Sequence, residues 1–263
     1  MGTTFTVYDI MNIIVCIKQV ITREWLVRAD EAQTWIRDQD ASFEMNEPDA
    51  YALESALRLK EQHGGEVIVC SAGPVRARQV ILEALARGAD RGIHIVSDDI
   101  PKAGAEVVAE ALANAIREEP FDLVLTGLQS NDQGFAQTGV ILATRLGIPH
   151  ATIIMDVQFD EGKLRVKREL EGGLFQWVSL PVPALLTIQS GINQLRYATL
   201  KGIVAAKKKQ IRTVDMEMPD TFGHEIVKIY TPEKSKQTHF VDGTPASAAV
   251  ELIRLLRQDA RVL

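Results

Sequence analysis

The sequence predicts an α/β fold: a doubly wound, mainly parallel, Rossmann-like sheet with an antiparallel hairpin extension and a C-terminal arm. Three observations predict it. Short apolar runs and helix-period stripes alternate from residue 12 to about residue 147, the pattern of a parallel sheet with helices on both faces. Three of the stripes stop at glycine, at Gly64, Gly88 and Gly147, where a helix commonly ends. After residue 150 strand-like runs follow one another directly, which suits antiparallel neighbours joined by tight turns.

The elements follow in order. Asn12 to Ile17 reads as a buried strand, and Val27 and Trp35 flank a polar stretch, Arg28 to Thr34, that reads as a hairpin. Asn46-Glu47-Pro48-Asp49 reads as a helix start, with Asn46 as N-cap, Pro48 in the first turn and Asp49 at the capping-box position. That helix carries Ala50, Leu53, Ala56, Leu57 and Lys60 and stops at Gly64-Gly65. Glu66 to Cys70 is the next strand, and Ala77, Val80, Ile81, Ala84 and Leu85 form the next stripe. Gly92 to Val96 is a strand, Val108 to Ile116 a helix, Leu123 to Thr126 a strand, and Ala136 to Leu146 a helix. Ile153 to Phe159 and Leu164 to Leu170 flank Asp160-Glu161-Gly162 as a hairpin. Leu174 to Leu180 and Ala184 to Ile188 read as further strands. Residues 213 to 243 have little apolar periodicity and read as an extended arm, and Ala246 to Leu256 reads as a last amphipathic helix. The organisation is then a leader at residues 1–10, an α/β domain at 11–212, and an arm with its helix at 213–263.

Composition narrows the function. The chain has 263 residues, enough for one large domain with a full core. Its net charge of −6 does not favour a nucleic-acid or polybasic membrane role. No apolar stretch approaches the length of a bilayer span, so membrane insertion is not expected, and the N-terminus has no secretory pattern. The two cysteines, Cys16 and Cys70, lie inside apolar runs. They read as buried, reduced thiols, which suits a reducing compartment such as the cytoplasm. The five histidines are scattered without metal-ligand spacing. GxGxxG, Walker A, HExxH, CxxC and GxSxG patterns are absent from the sequence.

One segment invites chemistry. Thr126 to Gly139 leaves the carboxyl end of a predicted parallel strand and enters a helix, the edge at which open α/β sheets bind ligands. Its small and polar residues allow backbone N–H groups to face an anion, and Gln137 and Thr138 add side-chain donors for phosphate. Two other strand-end loops, Lys18-Gln19-Val20 and Ser71-Ala72-Gly73-Pro74, could converge on the same nucleotide. Arg168 to Glu171 reads as a charged strand edge, and Lys207-Lys208-Lys209 as a solvated basic helix cap.

A set of ordered motifs extends this reading. Val166-Lys167-Arg168-Glu169-Leu170-Glu171-Gly172-Gly173, Leu180-Pro181-Val182-Pro183-Ala184-Leu185-Leu186-Thr187, Arg196-Tyr197-Ala198-Thr199-Leu200 and Ala205 to Lys209 together resemble the electron-transfer flavoprotein β family. So do Val15 to Val20, Asn46-Glu47-Pro48, Ala84 to Gly92 and Gly127 to Gly139. The resemblance runs over nearly the whole chain from Met11. It implies an adenine nucleotide α-hydrolase-like fold and an electron carrier rather than a substrate enzyme. The carrier would be a heterodimer whose α subunit holds a redox-active FAD. The chain's own pocket would take AMP, or a second FAD in electron-bifurcating members.

By the same resemblance the nucleotide would be met by Cys16, Ile17, Lys18, Asn46, Ser71, Gly73, Gly127, Ser130, Asp132, Ala136, Gln137, Thr138 and Gly139. Glu169, Arg196, Tyr197 and Leu200 would face partners, with Leu200 as an apolar anchor for a dehydrogenase. Electrons would arrive from an acyl-CoA or related flavoprotein dehydrogenase and leave to a quinone oxidoreductase. The setting would be the cytoplasm, or the mitochondrial matrix in a eukaryote. Arg23 stands where many respiratory members carry tyrosine. The wording of Asn131 to Phe135 matches neither the commonest AMP-type nor the commonest bifurcating loop, so both nucleotides remain open, as does a stand-alone nucleotide-binding protein.

Overall fold

The computed structural model describes residues 10–160, 162–216, 226–232 and 238–262. The chain divides into two compact units, Met1–Ile229 and Tyr230–Leu263.

In the first unit the strands are β1 (Ile13–Cys16), β2 (Gln19–Ile21), β3 (Phe43–Met45), β4 (Val67–Gly73), β5 (Arg91–Val96), β6 (Leu123–Gly127), β7 (His150–Asp160), β8 (Lys163–Glu169), β9 (Phe175–Leu180), β10 (Ala184–Ile188) and β11 (Ile211–Asp215). The helices are α1 (Glu47–His63), α2 (Arg78–Arg87), α3 (Ala105–Ile116), α4 (Thr138–Leu146) and α5 (Leu200–Ala206). A nine-stranded sheet runs β11-β5-β4-β1-β6-β10-β7-β8-β9. Pairing is parallel from β11 to β7 and antiparallel at β7–β8 and β8–β9. Strands β2 and β3 form a separate antiparallel pair.

The apolar runs are explained by this position. Ile13, Ile14, Val15 and Cys16 are all buried because β1 has cover on both faces. Ile13 and Val15 join the core under α1 and α2, with Leu53, Leu57, Ile81 and Leu85. Ile14 and Cys16 join the opposite core, with Leu112 and Ile116 of α3 and Leu142 of α4. Helices therefore cover both faces, as a doubly wound sheet requires.

The order of strands creates a switch. From β1 the chain winds outward through β4 to β5, then returns to the other side of β1 as β6. The loops after β1 and β6 diverge at their carboxyl ends and leave a crevice there. The opposite edge of the sheet is closed by side chains. Asp122 accepts the Asn12 N–H at 2.8 Å, and Asp90 accepts the Val67 N–H at 2.8 Å while pairing with Lys60. Arg91 joins Glu66 and Glu119, and Arg212 joins Glu118 and Glu119.

Several expectations change. The stretch Arg28 to Thr34 closes on a single bridge, Ala29 to Ile36, rather than a hairpin of full strands. Helix α4 begins at Thr138, not Ala136. Thr213 to Asp215 belong to β11, which pairs with β5, so the sheet continues past residue 212. One-sided alternation hid this edge strand among polar neighbours. Of the remaining arm, residues 217–225 and 233–237 lie outside the described residues, as do residues 1–9 of the leader. Lys209 is not a solvated cap: its ammonium donates to Leu85 O at 3.0 Å and to Ala89 O, closing the C-terminal end of α2.

In the second unit α6 (Pro245–Gln258) is an amphipathic helix, capped by the Thr244 hydroxyl accepting from Ser247 N–H at 3.3 Å. Both cysteines are free and buried, and burial raises both thiols, Cys70 to about 12.

His94, on β5, is buried, and its Nε2 has no hydrogen-bond partner. Burial lowers its pKa below the ordinary histidine value, the Arg78 charge adds to this, and hydrogen bonds at Pro74 and Gly73 oppose it. A depressed folded-state pKa contributes stability that is present above the unfolded value and is lost as pH falls through the folded one. Unfolding midpoints measured at pH 5 and pH 7 should therefore differ less in His94→Gln than in the wild type.

Candidate functional site

The crevice is a cleft of about 770 Å³, counting its open mouth. It is bounded by the end of β1, the start of α1, the β6–α4 loop and the start of α3. Of the residues expected to meet a nucleotide, Cys16, Ile17, Lys18, Asn46, Gly127, Ser130, Ala136, Gln137, Thr138 and Gly139 line it. Three predicted residues do not. Gly73 and Asp132 line a neighbouring cavity. Ser71 is buried within β4, and its hydroxyl has no partner.

The first turn of α1 builds the floor. Asn46 and Asp49 were expected to cap α1 reciprocally, but neither side chain does so. The Asp49 carboxylate instead accepts the Lys18 N–H at 2.7 Å and the Gly127 N–H at 3.0 Å. It thus ties the ends of β1 and β6 together. Asn46 holds the following loop: its amide donates to Gln129 O at 3.0 Å, and its Oδ1 accepts Asn131 N–H at 2.9 Å. Gly127 has no alternative, because a Cβ there would stand 2.4 Å from Asp49 Oδ1 and 2.7 Å from Pro48 Cβ. Burial pushes Asp49 up to about 7, against the lowering effect of its hydrogen bonds to Lys18, Asn46 and Gly127 and of the Lys18 charge.

Lys18 closes one side of the mouth. Its ammonium reaches Asp132 Oδ1 at 2.7 Å, Gln133 Oε1 at 2.8 Å and, more weakly, Ser130 Oγ at 3.4 Å. Burial raises Asp132, but the Lys18 charge and the hydrogen bonds it receives hold it below the ordinary carboxylate value. Gln133 also donates to Pro101 O at 2.9 Å, tying the loop towards α3.

The other side suits an anion. Helices α3 and α4 both start at the cleft, and neither N-terminus is capped by a side chain. Their first N–H groups and dipoles favour negative charge. The loop reaches α4 through left-handed turns at Gly134 (φ 63°) and Ala136 (φ 54°). Ile100, Val108, Leu112 and Phe135 supply an apolar wall. One end of the cleft thus fits a phosphate and the wall fits a flat heterocycle. Among the described residues no group of three or more His, Cys, Asp or Glu could hold a metal ion.

Asp49 and the start of α3 are what sequence reasoning missed. A carboxylate two residues into a helix satisfies the capping pattern, and only the fold reveals that distant N–H groups outcompete the local ones.

The predicted partner residues lie elsewhere. Glu169 ends β8, where Gln189 Nε2 approaches it at 3.4 Å. Tyr197 and Leu200 are 91% and 85% exposed, so Leu200 is not a core side chain. Arg196 is held by Glu54 and Glu61. Arg23 pairs with Glu47 at the start of α1.

Fold and cleft together define a Rossmann-like α/β protein with a ligand crevice at its topological switch point. Residues 34–218 match the family model for the electron transfer flavoprotein domain. Over 261 residues the chain is 34% identical to the electron transfer flavoprotein subunit beta of Methylophilus methylotrophus, covering 94% of this chain and 98% of that protein. It is 33% identical to the human subunit beta (96% and 99%) and 35% identical to the mitochondrial subunit beta of Oryza sativa subsp. japonica (96% and 100%). The chain belongs to the electron transfer flavoprotein family, on the side of its β subunits.

Removing the floor should be costly. Asp49→Ala leaves two N–H groups unpaired under the cleft, at about 1–3 kcal/mol for each, and thermal unfolding should register the loss.

Proposed function

We propose that this chain is the nucleotide-binding β subunit of a heterodimeric electron carrier, and that its switch-point cleft holds AMP in a structural role. The observation that carries the reading is the meeting of two uncapped helix N-termini, α3 and α4, with an apolar wall in one cleft at the carboxyl ends of β1 and β6. Thr138 and Gln137 would face the phosphate, and Ile100, Val108 and Leu112 the adenine ring. Lys18, neutralised by Asp132, would hold the loop rather than the anion.

An FAD held by the α subunit would supply the redox chemistry. This chain would contribute position and docking surface. The donor would be an acyl-CoA or related flavoprotein dehydrogenase, engaged by the exposed Tyr197 and Leu200, and the acceptor a quinone oxidoreductase. Helix α6 presents Val250, Leu252 and Ile253 to solvent, and an α subunit would cover such a face. Among the described residues no helix is long and apolar enough to cross a membrane.

A second reading has its own support. A larger cavity of about 1460 Å³, counting open solvent, shares Lys18, Ala72, Ile100 and Gln133 with the cleft. It contains Trp25, Trp35 and Phe43. A dinucleotide could span both, as a second FAD would in a bifurcating carrier. Acid extraction of the purified heterodimer, with chromatography of the released nucleotides, separates the two. One FAD and one AMP per heterodimer is the expected content; two FAD would replace the first reading with the second. Thr138→Leu, which removes a donor and fills the anion site, should lose the β-subunit nucleotide, and full retention would remove the assignment of this cleft.

Helix α6 gives a separate expectation. Limited proteolysis should cut residues 230–263 rapidly in the isolated chain and slowly in the heterodimer, and equal rates would show that the α subunit does not cover them.

A further inference from the structure

The exposed Tyr197 and Leu200 follow a segment that is fastened to α1 at residues 193, 194 and 196. Asn193 donates to Tyr51 O at 3.2 Å and to Ser55 Oγ at 2.9 Å. Arg58 donates to Gln194 O at 2.9 Å. Arg196 then makes four side-chain hydrogen bonds to two carboxylates: to Glu54 at 2.8 and 3.2 Å, and to Glu61 at 2.6 and 3.1 Å. The Glu54 side chain is only 4% exposed. Burial raises its carboxyl, yet Arg196 and Arg58 outweigh this and leave it below the ordinary value. Planar, two-pronged pairing of this kind fixes orientation as well as charge.

The other side of the segment is fixed too. Thr199 caps α5 by accepting Gly202 N–H at 3.0 Å. A Cβ at Gly202 would stand 2.3 Å from Ala86 O, so α5 lies directly on the backbone of α2. Leu200, the first residue of α5, is therefore displayed between two anchored elements while its own side chain touches solvent.

We propose that Arg196 is a positioning residue for partner docking: clamped between Glu54 and Glu61, it holds Tyr197 and Leu200 in their docking arrangement and does not itself contact the partner. The inference rests on the docking reading given above for Leu200. Two carboxylates already neutralise the guanidinium and occupy its donors, so it has little charge or hydrogen-bonding capacity left for another protein. Its contribution is to order the segment before encounter, which lowers the entropy lost on association.

The heterodimer can be tested with an acyl-CoA dehydrogenase as electron donor, following the KM for the carrier, the kcat of its reduction, thermal unfolding, and amide hydrogen exchange over residues 193–203. Arg196→Ala should speed exchange in that segment and raise KM by about tenfold, the equivalent of about 1.4 kcal/mol, with kcat unchanged; Arg196→Lys should restore part of it. Glu61→Gln separates positioning from contact. It loosens the clamp while freeing positive charge, so positioning predicts a KM raised roughly two- to threefold and faster exchange, whereas direct contact predicts an equal or lower KM. Glu61 is 59% exposed in its side chain, so this variant should fold even if Arg196→Ala does not. Wild-type KM and exchange in Arg196→Ala, or an equal or lower KM in Glu61→Gln, would overturn the proposal. Leu200→Ala is the control on the docking reading: normal docking in that variant would fell the reading itself, while weakened docking in Leu200→Ala with normal docking in the Arg196 variants would fell only the positioning role.

Discussion

The cleft depends on one interaction: the Asp49 carboxylate accepting the N–H groups of Lys18 and Gly127. In a doubly wound sheet the strands on either side of the switch point send their loops in opposite directions. Nothing in the ladder between β1 and β6 prevents those ends from splaying, since their last paired residues are Val15 and Leu125. A carboxylate at the start of α1 bridges them just beyond the end of the ladder. It does so at a cost, because the group is buried and burial disfavours its charged form. That cost is offset by two backbone donors that would otherwise be unpaired in the same place.

The same carboxylate shapes what the cleft can accept. Backbone N–H groups at strand ends are natural anion sites, and Asp49 already occupies the pair at β1 and β6. The N-termini of α3 and α4, which no side chain caps, are the donors left for an anion in the cleft. The cleft is thereby polarised: an anion-attracting end at α4 and an end near Asp49 that resists negative charge. The position of Gly127 follows from this arrangement, as the backbone must come within contact of the carboxylate with no side chain between.

Much of the architecture was legible because central parallel strands, buried on both faces, leave continuous apolar runs. Ile13–Cys16, Val67–Cys70 and Leu123–Thr126 are such runs. The helices were legible from stripes such as Val80, Ile81, Ala84 and Leu85. Strand order was not. β10 enters between β6 and β7, and β11 joins the far edge beside β5, and no local pattern encodes either neighbour. That the loop from Gly127 to Gly139 lies at the crevice was legible because it combined a strand end, small residues and a helix start. Asp49 was not, since its local sequence context matches a cap and its real partners lie 31 and 78 residues away. The clamp on Arg196 was not legible for the same reason: its carboxylates are 142 and 135 residues distant, so the sequence shows only an arginine beside a tyrosine.

Asp49 lies on α1 and Arg196 is held by it, which gives that helix a double task. Its first turn sets the cleft through Asn46 and Asp49, and its later turns hold the 193–196 segment through Ser55, Arg58, Glu54 and Glu61. At about 1.5 Å of rise per residue, Asp49 and Glu61 are about 18 Å apart along the axis. Between them Leu53, Ala56 and Leu57 are buried in the core beneath the sheet. A close-packed helix of this kind does not deform smoothly, so it serves as a strut rather than a lever. The cleft at one end and the 193–196 segment at the other share a common reference frame. Under the proposed role, in which a bound cofactor would carry the chemistry, a fixed frame is what this chain would contribute.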